Sequence, residues 1–141
     1  MNLRFNFLTK AVLPNRTTLR AFIARIFEIE NRKAGQLNFI FCSDEYLLDI
    51  NQTYLKHDYY TDIITFNLSS NAQTIEGEIY ISVDTVKENA IQFHTTSVHE
   101  LHRVIFHGIL HLLGYDDKTT KHQTQMTEKE DFYLQLYFNK G

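Results

Sequence analysis

The chain has 141 residues, 43% hydrophobic and 22% charged, with one proline and five glycines. That is enough to bury a core without disulfides or a structural metal, and it leaves little for disordered linkers, so one domain over residues 1–141 is expected. A formal net charge of −3 argues against wholesale, non-specific nucleic-acid binding but leaves room for a local basic groove, for which Arg16, Arg20, Arg25, Arg32, Lys33, Lys118 and Lys121 are the available cations. The single cysteine, Cys42, excludes an internal disulfide, and no cleavable leader or run of about 20 apolar residues is seen, so a reducing cytoplasm is the expected compartment, with no membrane partner.

In chain order, residues 3–8 alternate apolar and polar side chains, as a strand does. After Pro14, Thr17 or Thr18 can cap a helix carrying Leu19, Phe22, Ile23, Ile26 and Phe27 on one face and ending near Gly35. Residues 37–42 read as a strand, and Ser43 caps a second helix with Tyr46, Leu47, Ile50 and Tyr54 on its apolar side, ending near Leu55. A loop at residues 58–61 leads to β-rich runs at 63–68 and 78–83, separated by a polar connection at 69–77 too long for a tight turn. Asp84 can cap a helix to about Phe93. Ser97 opens the next helix with Glu100 three residues on, a capping box, and Gly114 stops it. A final helix runs from about Thr120 to Phe138, with Met126, Phe132, Leu134, Leu136 and Tyr137 available to pack.

His107 and His111 lie four residues apart inside the helix that opens at Ser97, so their imidazoles stand one above the other on one face. Beyond Gly114, which can turn the chain through positive φ, Asp116 and Asp117 can swing back toward the pair, and either can be a third ligand. Two imidazoles and a carboxylate form an ordinary catalytic zinc set with one position open for water, whose pKa zinc lowers to about 7. His99 and His102 project roughly 100° and 160° away from the pair and should stand outside the site, whereas Glu100 falls on its side and Arg103 about 60° from its centre. Arg103 is therefore the candidate to face a substrate phosphate. Glu100 is a candidate carboxylate behind the ligands or a helix cap. Gly108 stands where a zinc protease would carry its glutamate base, which disfavours that chemistry, and it clears space for a substrate, a strand or helix packing.

HGILHLLGYDD, residues 107–117, closely resembles the signature of the YbeY family of ribosomal RNA maturation endoribonucleases. Residues 48–51 with Tyr54 and Asp58, YTDIITFNL at 60–68, GEIYIS at 77–82 and the helix from Met126 resemble the family's other blocks in order and spacing, over roughly residues 37–138. The family's three histidines bind zinc in the pattern His, three residues, His, five residues, His; the third position here is Asp117. A carboxylate can replace imidazole in that shell, so the resemblance implies one Zn2+ held by His107, His111 and Asp117. Leu55 stands where the family carries an arginine thought to act at RNA, and Lys56, His57 and Arg103 are the candidates to take that role. The resemblance further implies an α+β fold with a mixed, mostly four-stranded sheet covered by about five helices, and a metal site on a central helix and the loop after it. It implies cytoplasmic action on ribosomal RNA precursors near the small-subunit RNA 3′ end, and association with the ribosome. Single-stranded RNA is the expected substrate, with Tyr59, Tyr60 and Phe66 as possible stacking surfaces. The competing readings are a metal hydrolase of another ester or amide, and an RNA-binding assembly factor whose ion only stiffens the fold.

Overall fold

Leu37, Phe39 and Phe41 alternate with Asn38 and Ile40 along one strand, and this period of two puts all three aromatic and aliphatic side chains on one face, fully buried. The computed structural model describes residues 1–139; Lys140 and Gly141, which the expected domain span includes, lie outside the described residues. Its elements are β1 (Asn2–Phe7), α1 (Arg16–Ile29), β2 (Lys33–Cys42), α2 (Asp44–Leu55), β3 (Ile63–Asn67), β4 (Thr74–Ser82), α3 (Val83–Gln92), α4 (Ser97–Leu112) and α5 (Thr120–Phe138). The sheet runs β1-β2-β4-β3, with β1, β2 and β4 parallel and β3 antiparallel to β4, so the expected mixed four-stranded α+β fold with five helices is what the described residues form. No helix among them is long and apolar enough to cross a membrane.

Several boundaries differ from expectation, each for a local reason. The first helix ends at Ile29, not near Gly35, because Asn31 adopts a left-handed φ of 57° and closes it: Asn31 N–H donates to Glu28 and Arg32 N–H to Phe27. Asn is the usual substitute for glycine in this Schellman closure. The start of this helix is Asn15, itself left-handed with no side-chain cap, and neither Thr17 nor Thr18. The strand after it therefore begins at Lys33, and β4 begins at Thr74, shortening the expected connection. Ser82 caps α3 through Thr85 N–H, while Asp84, expected as that cap, accepts instead from Asp44 N–H at the head of α2. Arg16 and Arg20 lie over Phe7 and Phe5 at 4.3 and 4.9 Å, covering the edge strand β1.

The helix that matters most, α4, crosses the sheet face carrying Ile63 and Ile79. Its approach is close: a Cβ on Gly108 would lie 2.9 Å from both Ile63 Cδ1 and Ile79 Cγ2. Glycine there lets the helix sit on the sheet, and the space it leaves belongs to those two side chains and not to a substrate. On the other side α5 packs with Met126, Tyr133, Leu134 and Tyr137; Phe132, expected to pack, is 50% exposed because it lies one residue off that stripe. A smaller cluster of Cys42, Leu47, Ile50 and Ile64 seats α2 on the opposite face of the sheet.

His102 lies on the far side of α4 from the paired histidines, as the helical geometry requires. It is buried, stacks on Tyr137 at 5.2 Å, meets Phe106 and Phe138 edge-on, and donates from Nδ1 to the Val98 carbonyl at 2.7 Å. Burial holds this imidazole below the ordinary histidine range, against the pull of the Val98 carbonyl. The folded chain thus keeps His102 neutral while the unfolded chain takes up a proton below its unperturbed pKa, so stability above that value is lost as pH falls below about 6.5. His102→Phe, which keeps the ring and removes the titration, should melt above the parent by a margin that widens from pH 8 to about pH 5 in thermal scans. A margin that does not change with pH would show that His102 does not titrate in this way.

Candidate metal centre

Helix α4 carries His107 and His111 on adjacent turns, ring centroids 5.6 Å apart. Past Leu112 the chain turns at Gly114, whose φ of 105° few other residues adopt, with Gly114 N–H donating to His111 and Tyr115 N–H to Leu110. The turn brings the Tyr115 carbonyl within 2.9 Å of His111 Nδ1. It also aims Asp117 back at the pair, with Oδ2 3.4 Å from His107 Nε2 and Oδ1 3.9 Å from His111 Nε2. Asp116, the other candidate, is turned away: its Oδ1 accepts from Asp117 and Lys118 N–H and its Oδ2 lies 4.0 Å from His122. Of the two, Asp117 is therefore the carboxylate in position to complete the set.

The hydrogen bonds behind the rings decide which nitrogen faces the site. His111 Nδ1 meets a carbonyl, which only accepts, and His107 Nδ1 meets Glu130 Oε2 at 2.5 Å, so both Nδ1 atoms carry the proton and both Nε2 lone pairs point toward Asp117. The three donor atoms lie within 4.8 Å of one another. Metal–ligand bonds of about 2.0–2.2 Å at tetrahedral angles need donor separations of about 3.4 Å, so a small ion fits with little movement. Side-chain exposures of 16, 33 and 39% for His107, His111 and Asp117 leave one side of the set open to solvent.

Around these three residues, carboxylates outnumber cations. Arg103 is held by Glu100 through Nε and Nη2 at 2.8 and 2.5 Å and by Glu130 through Nη1 at 3.0 Å, with Asp62 3.9 Å away. Against the charges of Arg103 and Lys118 stand Asp62, Glu100, Glu130 and Asp117. Burial works against a charged His107, but the Glu130 hydrogen bond and the fields of Glu130, Asp117 and Asp62 outweigh it and raise its pKa. Burial likewise pushes Asp62 above the usual carboxylate range against the pull of Arg103 and His107. An excess of carboxylates over cations around two nitrogen donors is the environment a divalent cation needs.

Glu100 corrects one expectation and Glu130 supplies what was missed. The cap of α4 is Thr96, whose hydroxyl accepts from His99 N–H at 3.0 Å; Glu100 then falls one residue too far along for a capping box, and its carboxylate is buried on Arg103. Glu130 was legible in principle: with Met126, Tyr133, Leu134 and Tyr137 it occupies the inward stripe of α5, and a carboxylate there demands a partner. Asp62, just before β3, had no comparable signal. His99 stacks on Phe138 at 5.3 Å, outside the site as expected.

His107, His111 and Asp117 open into a cavity of about 550 Å³. Arg103, Asp62 and Lys118 line it near the ligands, and Leu55, His57 and Tyr59 form part of its wall. Lys56 lies between two of those wall residues at the left-handed end of α2, with φ 55°, and is exposed.

A family model described as Endoribonuclease YbeY matches residues 7–137, extending the resemblance back across α1 to the end of β1. The chain is 52% identical over 128 residues to the protein named Endoribonuclease YbeY of Cytophaga hutchinsonii, covering 91% of this chain and 90% of that one. It is 46% identical to the protein of that name from Christiangramia forsetii, covering 89% and 87%. The solution structure of a Thermotoga maritima protein superposes with a TM-score of 0.63 at 30% identity, covering 96% of this chain and 90% of that one. The chain belongs to the Endoribonuclease YbeY family, hydrolases of phosphodiester bonds within RNA.

Proposed function

We propose that this protein is a zinc-dependent endoribonuclease that cuts single-stranded RNA, acting in the cytoplasm on ribosomal RNA precursors near the small-subunit RNA 3′ end in association with the ribosome. The observation that carries this reading is the half-open set of His107, His111 and Asp117 at the floor of a cavity large enough for part of a nucleic-acid strand. A bound zinc ion would supply Lewis acidity toward a phosphoryl oxygen and would acidify a water at neutral pH. The chain's own groups prepare that place. Glu130 and the Tyr115 carbonyl orient the rings, and Asp62 lines the same cavity 3.9 Å from Arg103.

Arg103, with its guanidinium committed to Glu100 and Glu130, acts by holding Glu130 and Asp62 in register and by presenting the remaining part of its charge to a phosphate. Lys56 draws the RNA backbone to the rim of the cleft. A core that closes around apolar side chains away from the ligands favours a catalytic ion over a structural one. Metal removal tests this directly. Protein purified without chelator is expected to hold about one zinc per chain. Adding chelator should stop cleavage of a small-subunit precursor RNA while circular dichroism stays native, and zinc should restore cutting. Unfolding on chelation, or cutting that continues without metal, would overturn the proposal.

A further inference from the structure

Beyond Leu55 the wall of the cleft carries two exposed rings in a fixed arrangement. His57 and Tyr59 stack at 5.2 Å with 19° between their planes, tied by a 3.0 Å hydrogen bond between Tyr59 Oη and His57 Nδ1. Their backbone is fixed as well. Buried Asn51 donates to the Tyr59 carbonyl at 2.9 Å, and Gln52 donates to Asp58 at 2.5 Å. Tyr59 is 56% exposed even so, and both rings line the cavity that holds the ligands. The other aromatic candidates differ: Tyr60 is exposed but does not line the cavity, and Phe66 packs edge-on between Tyr54 and Tyr80.

Two rings held near-parallel, each with its outer side exposed beside the candidate metal centre, form a polarisable surface, and nucleobases stack on such surfaces whatever their sequence. Lys118 follows Asp117, lines the same cavity, and has no ion-pair partner among the described residues. Building on the reading of the cleft as an RNA site, we propose that the His57–Tyr59 pair is a base-stacking platform for one nucleotide of a single-stranded RNA, and that Lys118 holds a neighbouring phosphate. A duplex cannot use the platform, because its bases are already stacked on one another.

Binding of a short, labelled single-stranded RNA to the full chain, followed by fluorescence anisotropy in chelator, reads the platform without cutting. Tyr59→Ala should weaken binding about tenfold, and Tyr59→Phe, which keeps the ring, should restore most of it. Moving an abasic nucleotide along the strand should find one register where the parent loses about the same factor and Tyr59→Ala loses nothing more. Lys118→Ala should weaken intact and abasic strands equally and lower the salt dependence by about one charge. Unchanged affinity in Tyr59→Ala, or abasic penalties that persist undiminished in that variant, would overturn the platform. Because this readout needs no catalysis, an RNA that binds in this way and is never cut would sink the nuclease reading alone.

Discussion

Replacing His111 with alanine is expected to lower RNA cleavage by more than about a hundredfold, the loss that disturbing a partner behind a ligand can already cause, while the chain stays folded. His111 is one-third exposed and its one side-chain hydrogen bond among the described residues is to the Tyr115 carbonyl, so removing it costs the fold little. What it removes is one of three donor atoms converging on a single point. Substitutions at Asp117 should grade the effect. Asp117→Ala should also lose most activity, because the remaining nitrogens have no third partner, whereas Asp117→His restores an imidazole where the family pattern has one and should keep a competent site. The measurement is initial cleavage rate against bound zinc for the parent and the three variants. Full activity in His111→Ala would mean that the cutting belongs to another centre or a contaminating nuclease.

The two histidines were legible because helical geometry is local: a spacing of four and a glycine stop place two rings and the following carboxylates without any knowledge of the rest of the chain. The same locality explains which elements were readable. The apolar stripe on α1 and the strand at residues 37–42 survive in the fold nearly residue for residue, because burial against one surface is what such patterns encode. Their ends were less readable, since a left-handed Asn31 stops a helix as well as a glycine does and gives no stronger signal than any other asparagine. Contacts between distant segments were hidden altogether. Glu130 reaches His107 across 23 positions and Asp62 approaches Arg103 across 41, and nothing in either neighbourhood names the partner. Arg103 shows the cost of this blindness: taken alone its charge seems free for a phosphate, but the fold spends most of its hydrogen-bonding capacity on carboxylates from α4 and α5.

Glu130 is where stability and chemistry meet, and the second large effect is expected there. Its carboxylate, only 4% exposed, divides its two oxygens between His107 Nδ1 and Arg103 Nη1. Glu130→Ala deprives both of a buried acceptor, and breaking a buried charged contact from one side costs about 3–5 kcal/mol, near the lower end here because Glu100 still pairs with Arg103. The more informative variant is Glu130→Gln, which keeps the shape. An amide has one accepting oxygen, and two neighbours require one each. If the oxygen serves Arg103, the amide NH2 faces His107 Nδ1 and favours the tautomer that carries its proton on Nε2, directed at the place a metal would occupy. Glu130→Gln should therefore stay folded with a smaller loss of melting temperature than Glu130→Ala, yet bind zinc some 10–100-fold more weakly in calorimetric titration. Parent-like zinc affinity in Glu130→Gln would show that the hydrogen bond behind His107 does not set which nitrogen is free, and the tautomer assignment on which the ligand set depends would have to be abandoned.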